Sequence, residues 1–85
     1  MSVYVDDAKN RYGKMLMCHL MADSTAQPLS MARKIGVNEK WLQNRGSIRE
    51  HFDICQAKRK LAVSHGAVQV TSGFLVHLRQ LRDGD

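Results

Sequence analysis

The longest apolar run in the chain extends from Met15 to Ala22 and reads MLMCHLMA, with one polar residue, His19, near its centre. Eight residues are too few to cross a lipid bilayer. They fit a strand that is buried on both faces, although periodicity alone leaves a short buried helix open. We predict a strand here, followed by a helix that begins at Ser24.

The elements around this run follow from local signals. Val3 to Val5 combines β-branched and aromatic residues, which is typical of a short strand. The connection over residues 8–13 is too short for a parallel crossover of about a dozen residues, so we expect the two strands to be antiparallel. Ser24 and Gln27 have the spacing of a capping box, and Gly36 favours a left-handed stop. The first helix should therefore end at Gly36.

The middle of the chain is less regular. Residues 38–43 fit either a short strand or one helical turn, and residues 44–50 resemble a loop. Asp53 and Gln56 repeat the capping-box spacing, with aspartate in the cap position. We therefore predict a second helix that begins at Asp53 and closes at Gly66.

The last part of the chain predicts one strand and one helix. Alternating valines in residues 67–71 indicate the strand, and Thr71 or Ser72 is placed to cap the helix. The order of elements predicts an α/β fold, a small single domain over residues 1–85. It should have a mixed sheet of three or four short strands and about three helices.

The charge of the chain indicates an anionic partner. Lysine and arginine number 13 against 8 aspartate and glutamate, for a formal net charge of +5. Solubility alone explains such a charge equally well. Acids cluster towards both ends, and the middle of the chain is basic. The candidate polyanion-binding residues are Arg33, Lys34, Lys40, Arg45, Arg49, Lys58, Arg59 and Lys60. The chain has only two tyrosines, two phenylalanines and one tryptophan. This scarcity of aromatic residues gives little support to recognition of nucleic acid by base stacking.

Cysteine usage and the first residues favour a reducing compartment. Cys18 and Cys55 both have apolar neighbours, and the segment MSVYVDDAKN places two acids where a secretory signal needs basic and apolar residues. We expect reduced thiols, a cytoplasmic location and no membrane association. The six glycines are scattered singly, so no phosphate-binding loop or dinucleotide fingerprint is present.

Polar residues that interrupt apolar segments are the candidates for catalysis. Carboxylates at strand ends together with histidines suit Mg²⁺ or Mn²⁺ in phosphoryl chemistry, and two basic residues of the second helix could hold a phosphate. The candidates are Asp6, Asp7, His19, His51 and Asp53, with Lys58 and Arg59 as phosphate ligands. Structural roles compete with this hypothesis: a helix cap for Asp53, a solvated strand end for Asp6 and Asp7, and a hydrogen-bonded core position for His19.

Two further sites are weaker. A zinc site from Cys18, His19, His51 and Cys55 has suitable ligand types, but adjacent residues of a strand point to opposite faces, so Cys18 and His19 cannot share an ion. A helix-turn-helix over residues 28–45 has small and apolar residues at fitting positions. Its second helix would be short for DNA recognition.

Six short motifs occur in a recognisable order along residues 3–71. They are YVDD, YGKMLMCHLMAD, IG followed by WLQ, HFD, KRKLA and GAVQVT. In this order they resemble a small bacterial and phage family catalogued only as a domain of unknown function. The family typically carries a tryptophan at Met21, an aromatic residue at Leu42 and a tyrosine at Phe52. The resemblance implies a phage or prophage setting and no established activity.

These observations leave three hypotheses of function. The first is a phage accessory protein that binds nucleic acid or an acidic host protein through the central basic surface, without cofactor or assigned metal ligand. The second is a small divalent-metal-dependent phosphoryl hydrolase or nuclease that uses the Asp and His candidates. The third is a helix-turn-helix DNA-binding protein. The oligomeric state is left open, and a methionine-rich apolar surface for oligomerisation or host inhibition is less favoured than core filling.

Overall fold

The computed structural model describes residues 2–83, and the side chains of residues 2–80. The strands of this part of the chain are β1 (Val3–Val5), β2 (Asn10–Tyr12), β3 (Met15–Ala22), β4 (Phe52–Cys55) and β5 (Val68–Gln69). The helices are α1 (Ala26–Ile35), α2 (Gln56–Ser64) and α3 (Ser72–Asp83). The predicted α/β fold with a mixed sheet and three helices is confirmed, with one strand more than expected.

Strand β3 is the centre of the sheet. Its second half pairs antiparallel with β1, as predicted, and its first half pairs with β2. Strand β4 pairs antiparallel with residues 17–20 of β3. Since Met17 also pairs with β2 and Leu20 also pairs with β1, β4 must occupy the other edge of β3. A parallel pairing of β1 with β5 makes the sheet mixed.

Helices α1 and α2 cover one face of the sheet. Every second residue of β3 points to this face, and Cys18 and Leu20 are fully buried there. They pack with Phe52 and Ile54 of β4 in the main core. The other members of that core are Val5, Leu29, Met31, Ala32, Ile35, Ala62 and Ala67.

The opposite face of the sheet is covered at one end only. There Met21 packs with Leu75 and Leu78 of α3 in a second apolar cluster. The alternate residues nearer the start of β3, Met17 and His19, line an open cleft instead. The partial cover by α3 therefore leaves His19 accessible from solvent.

Three local predictions are wrong. Helix α1 begins after Thr25, whose side chain makes no capping hydrogen bond, and the Ser24 hydroxyl donates to the Gln27 side chain instead of a backbone group. Residues 10–12, predicted as a connection, form β2. Asp53 lies inside β4 and does not cap a helix, since α2 begins only at Gln56.

Residues 38–43 contain a single 3₁₀ turn, Glu39–Trp41, which is one of the two predicted alternatives. Asn38 caps the turn by accepting a hydrogen bond from the backbone N–H of Lys40 at 3.0 Å. Leu42 follows in an extended conformation. The second helix that a helix-turn-helix motif requires is therefore not formed in this segment.

Gly36 ends α1 as predicted, in the left-handed region with φ of 78°, and its N–H donates to the Ala32 carbonyl. A Cβ at this position would also lie 3.2 Å from Lys58 Nζ. We expect Gly36→Ala to lower the free energy of unfolding by about 1 kcal/mol, because left-handed backbone is strained for alanine. Urea denaturation measures this loss. Gly73→Ala is the control and should be neutral or stabilising, since Gly73 lies in α3 with van der Waals room.

Candidate metal centre

The pairing of two strands brings together residues from distant parts of the chain. In the register between β3 and β4, His19 lies directly opposite Asp53. An isolated bridge between Gln43 and His51, with backbone hydrogen bonds of 2.9 and 3.2 Å in both directions, places His51 beside them. The rings of His19 and His51 meet edge to face, with their centroids 5.3 Å apart.

Asp6 holds His19 from behind. Its Oδ2 lies 2.7 Å from His19 Nδ1, and its Oδ1 accepts the backbone N–H groups of His19 at 2.8 Å and Ala8 at 3.3 Å. The residue is 1% exposed. Burial by itself raises the pKa of Asp6, but the hydrogen bonds and the charge of His19 outweigh it, so the pKa lies below its usual value. Asp6 is therefore an ionised acceptor, and His19 Nδ1 carries the proton.

His51 is oriented in the same way by a backbone group. Its Nδ1 lies 2.6 Å from the carbonyl oxygen of Arg49. A carbonyl only accepts hydrogen bonds, so Nδ1 must carry a proton, and Nε2 is the nitrogen that has a free lone pair when the ring is neutral. The side chain is 13% exposed, and Nε2 lies 3.4 Å from Asp53 Oδ1.

Asp53 stands between the two histidines. Its Oδ1 is 3.8 Å from His19 Nε2 and 3.4 Å from His51 Nε2. Its Oδ2 accepts a hydrogen bond of 2.8 Å from Gln43 Nε2, which fixes the carboxylate plane. Each of the three side chains thus has one atom directed to a common point and another held by a partner.

These three atoms have the spacing of metal ligands. They all lie within 4.8 Å of one another. Two ligands held about 2.1 Å from one ion at the tetrahedral angle lie roughly 3.4 Å apart. The distance of 3.4 Å between Asp53 Oδ1 and His51 Nε2 already has this value, and the distance of 3.8 Å between Asp53 Oδ1 and His19 Nε2 is close to it. Imidazole rings whose other nitrogen is bound by a carboxylate or a carbonyl are typical of metal-ligating histidines. Within the described part of the chain, His19, His51 and Asp53 can therefore hold one cation.

The three residues lie in a cleft of about 670 Å³. Strands β2 and β3 form one side of it, and the segment over residues 40–43 forms the other. Lys40 contributes a cation to its lining. Arg11 pairs with Leu16, so its side chain lies on the face of the sheet opposite to Met15 and Met17. The remaining lining residues are Asn10, Tyr12, Met15, Met17, Trp41, Leu42 and Gln43. The cleft therefore combines a set of metal ligands with positive charge.

Asp7 lies outside this centre. Its Oδ1 accepts hydrogen bonds from the backbone N–H and from the hydroxyl of Ser72, both at 3.0 Å. It thus binds the first residue of α3, where a negative charge stabilises the helix dipole. Asp6 also accepts the Ser72 hydroxyl, at 3.2 Å, but lies behind His19 rather than with the three ligand atoms. Of the five predicted catalytic residues, three converge, Asp6 supports them and Asp7 does not take part.

The eight basic residues predicted to bind a polyanion all lie in the described part of the chain, and among them Lys40 alone lines the cleft. Lys34 lines a smaller cavity of about 250 Å³ alongside α1. Arg45, Arg49 and Lys60 have exposed side chains.

The other three basic residues bind groups of the protein itself. Arg33 forms an ion pair with Glu39. Lys58 donates a hydrogen bond of 2.8 Å to the last carbonyl oxygen of α1. Arg59 Nε donates to the backbone carbonyl of Asp6 at 2.9 Å. The expected phosphate ligands Lys58 and Arg59 are thus engaged in holding α2 against α1 and the end of β1.

The alternative zinc site fails for the reason expected from strand geometry. Cys18 is buried in the core beneath α1 and α2, whereas His19 lines the cleft on the other face. Cys18 and His19 therefore cannot bind the same ion.

Burial raises the pKa of the Cys18 thiol to about 11, and the Asp6 carboxylate adds to the rise. The thiolate is the reactive form, so we expect iodoacetamide at pH 8 to label the half-buried Cys55 and to leave Cys18 intact. Peptide mapping by mass spectrometry measures the two rates, and protein unfolded in urea should be labelled at both. Equal labelling in the folded protein would contradict the buried position of Cys18.

Sequence reasoning missed Gln43, Tyr12 and Trp41 as parts of the site. Tyr12 belongs to β2, which had no recognisable strand signal. Gln43 and Trp41 are in the WLQ motif, whose resemblance to a family pattern was the one available signal.

None of the helices within residues 2–83 is long and apolar enough to cross a membrane. Searches among curated proteins and among solved structures gave no match. A family model matches residues 3–82, nearly the whole chain and the entire candidate site. The chain therefore belongs to the family described as protein of unknown function (DUF4031).

Proposed function

We propose that this protein is a small phosphoesterase that uses one divalent transition-metal ion bound by His19, His51 and Asp53. The observation that carries the proposal is the convergence of two Nε2 atoms and one carboxylate oxygen. The other polar atom of each of these three side chains is already hydrogen-bonded. Two imidazoles and one carboxylate suit Zn²⁺, Mn²⁺ or Co²⁺ better than Mg²⁺, which prefers oxygen ligands.

Three protein ligands leave coordination positions for water and substrate. An ion held by His19, His51 and Asp53 would supply an activated water as the nucleophile and would polarise a phosphoryl oxygen. Asp6 and Gln43 support these roles, because they fix the orientation of His19 and Asp53.

The charge of the cleft favours an anionic substrate. Lys40 lines it together with the metal ligands. Lysine contributes a point charge that attracts phosphate oxygens. A phosphate ester entering the cleft would meet positive charge from the protein as well as from the ion.

Polyanion binding through the wider basic surface stays a prediction. Arg45, Arg49 and Lys60 are available for it because their side chains are exposed. Nucleic acid, the partner expected from the charge, is also a phosphodiester, so it fits both hypotheses. The phage setting and the cytoplasmic location stay predictions of the sequence.

Metal titration by isothermal calorimetry tests the proposal, using protein freed of any polyhistidine tag. We expect one Zn²⁺ or Co²⁺ ion per chain and much weaker binding of Mg²⁺. His51→Ala should weaken Zn²⁺ binding at least about 100-fold, because one ligand is lost. The matched control is His65→Ala, since His65 is exposed at the end of α2.

Hydrolysis of bis(p-nitrophenyl) phosphate gives the second readout. We expect activity with Zn²⁺, Mn²⁺ or Co²⁺, loss of activity in EDTA, and recovery when the metal is restored. Unaltered Zn²⁺ affinity in His51→Ala, or hydrolysis that persists in EDTA, would contradict the proposed function.

A further inference from the structure

We propose that the substrate of the cleft is a nucleotide unit with an unpaired base, which stacks on Trp41 while its phosphate lies at the metal centre. Because the reacting phosphate belongs to that centre, this assignment rests on the proposed function. Four features of the cleft support it: the exposure of Trp41, the rigidity of its segment, a second exposed aromatic residue, and adjacent positive charge.

Trp41 is the only tryptophan of the chain and is 61% exposed. Its neighbour Leu42 packs against the main core and anchors the segment. The indole is therefore not needed to bury this part of the chain. A large aromatic ring exposed in a cleft beside polar groups indicates a ligand surface.

The segment that carries Trp41 is held in place. The backbone N–H of Trp41 donates a hydrogen bond to the Asn38 carbonyl at 3.1 Å, and the N–H of Leu42 donates one to the Glu39 carbonyl at 3.1 Å. Two residues further on, Gln43 is joined to His51 by the bridge that positions the metal ligand. The position of the indole relative to the metal centre is thus fixed before a ligand binds, which reduces the ordering cost of binding.

A second aromatic residue lies in the same cleft. Tyr12 of β2 is 70% exposed, and Met15 and Met17 of β3 lie between it and the metal ligands in the lining. Aromatic rings stack on any nucleobase, and thioethers adapt to apolar surfaces of varied shape. The cleft therefore offers two surfaces for the flat faces of bases.

Positive charge lies next to these rings. Lys40 Nζ is 5.0 Å from the centroid of the Trp41 ring, and Lys40 lines the same cleft. Alternation of cations with exposed aromatic residues is typical of proteins that bind single-stranded nucleic acid. An apolar ligand would leave Lys40 without an anionic partner, whereas a nucleotide satisfies the rings and this cation together. Bases within a duplex are stacked on both faces, so the base must be unpaired.

Binding is measured with EDTA present, so that no turnover occurs. Quenching of Trp41 fluorescence should report binding of adenosine 5′-monophosphate and of a single-stranded DNA hexamer, with ribose 5-phosphate as the base-free probe. Comparison of the mononucleotide with the hexamer shows whether the unpaired base belongs to a free nucleotide or to a nucleic-acid strand. We expect ribose 5-phosphate to bind at least about 5-fold more weakly than adenosine 5′-monophosphate.

The variants are compared by fluorescence anisotropy with a labelled hexamer. Trp41→Ala should weaken binding by about 5- to 150-fold, and Trp41→Phe should restore most of it, because phenylalanine still stacks. Phe74→Ala is the control, since Phe74 is an exposed aromatic residue on α3 outside the cleft lining. Circular dichroism of each variant verifies the fold.

The labelled hexamer is also measured after it has been annealed to its complementary strand. Unchanged affinity in Trp41→Ala, equal binding of ribose 5-phosphate, or equal binding of this duplex would overturn the assignment of an unpaired base. None of these results would contradict the proposed phosphoesterase activity, provided that His51→Ala weakens metal binding. Conversely, quenching by nucleotides without any metal-dependent hydrolysis would support the ligand class and overturn the phosphoesterase.

Discussion

Replacing Asp53 by alanine is expected to lower metal-dependent hydrolysis at least about 100-fold. The substitution removes the one anionic ligand, whose Oδ1 faces both Nε2 atoms. Two neutral imidazoles remain, and they neither neutralise a divalent ion nor complete a three-ligand site. The rate is measured with bis(p-nitrophenyl) phosphate at saturating Zn²⁺, alongside a calorimetric titration of the metal.

The fold should survive this change, because the Asp53 side chain is 40% exposed and lies on the cleft face of β4. Asp23→Ala is the matched control. Asp23 is an exposed carboxylate directly after β3, and it accepts a hydrogen bond from the backbone N–H of Ser2. Full activity in Asp53→Ala, or equal loss in both variants, would exclude Asp53 as a ligand.

Replacing Asp6 by asparagine is expected to lower both stability and metal affinity. Asp6 is buried and accepts hydrogen bonds from Ala8, His19 and Ser72. An amide cannot accept at both of its terminal atoms, so at least one donor loses its partner. We expect a loss of about 2–4 kcal/mol in the free energy of unfolding, since these hydrogen bonds involve a buried charge. Urea denaturation of the metal-free protein measures it.

The metal affinity of Asp6→Asn should fall about 10- to 100-fold, the usual effect of losing the partner of a ligating histidine. Asp7→Asn provides the comparison at the adjacent position. Asp7 binds the start of α3 and not His19, so its loss should cost about 1 kcal/mol of stability and leave Zn²⁺ affinity unchanged. Equal effects of the two substitutions on metal affinity would show that Asp6 acts on the fold alone.

The sequence indicated which polar residues meet in the cleft better than it indicated the elements that carry them. Val3–Val5 and the run from Met15 had clear strand signals, and both strands formed as predicted. Asp53 was expected to cap a helix because Gln56 follows at the right spacing. The wider context decides otherwise: Phe52 and Ile54 fill the core when this segment pairs with β3, which places Asp53 on the opposite face.

The convergence of the metal ligands depends on long-range pairing, which local patterns do not report. His19 and His51 are separated by 32 positions in the chain, and the pairing of β4 with β3 and the bridge at Gln43 bring them together. Similarly, Lys58 and Arg59 had the charge expected of phosphate ligands, but their hydrogen bonds to backbone carbonyls were not visible in the sequence. Tyr12 of β2 was overlooked because three exposed residues carry no strand pattern.

We expect one ion to bind the Nε2 atoms of His19 and His51. Long-range ¹H–¹⁵N spectra of the histidine rings, recorded before and after addition of one equivalent of Zn²⁺, detect this coordination. We predict that Nδ1 of both rings carries the proton in the metal-free protein, and that Zn²⁺ shifts Nε2 of His19 and His51 while His65 and His77 stay unchanged. Spectra in which Zn²⁺ leaves the His19 and His51 rings unshifted, or binds them through Nδ1, would contradict the account.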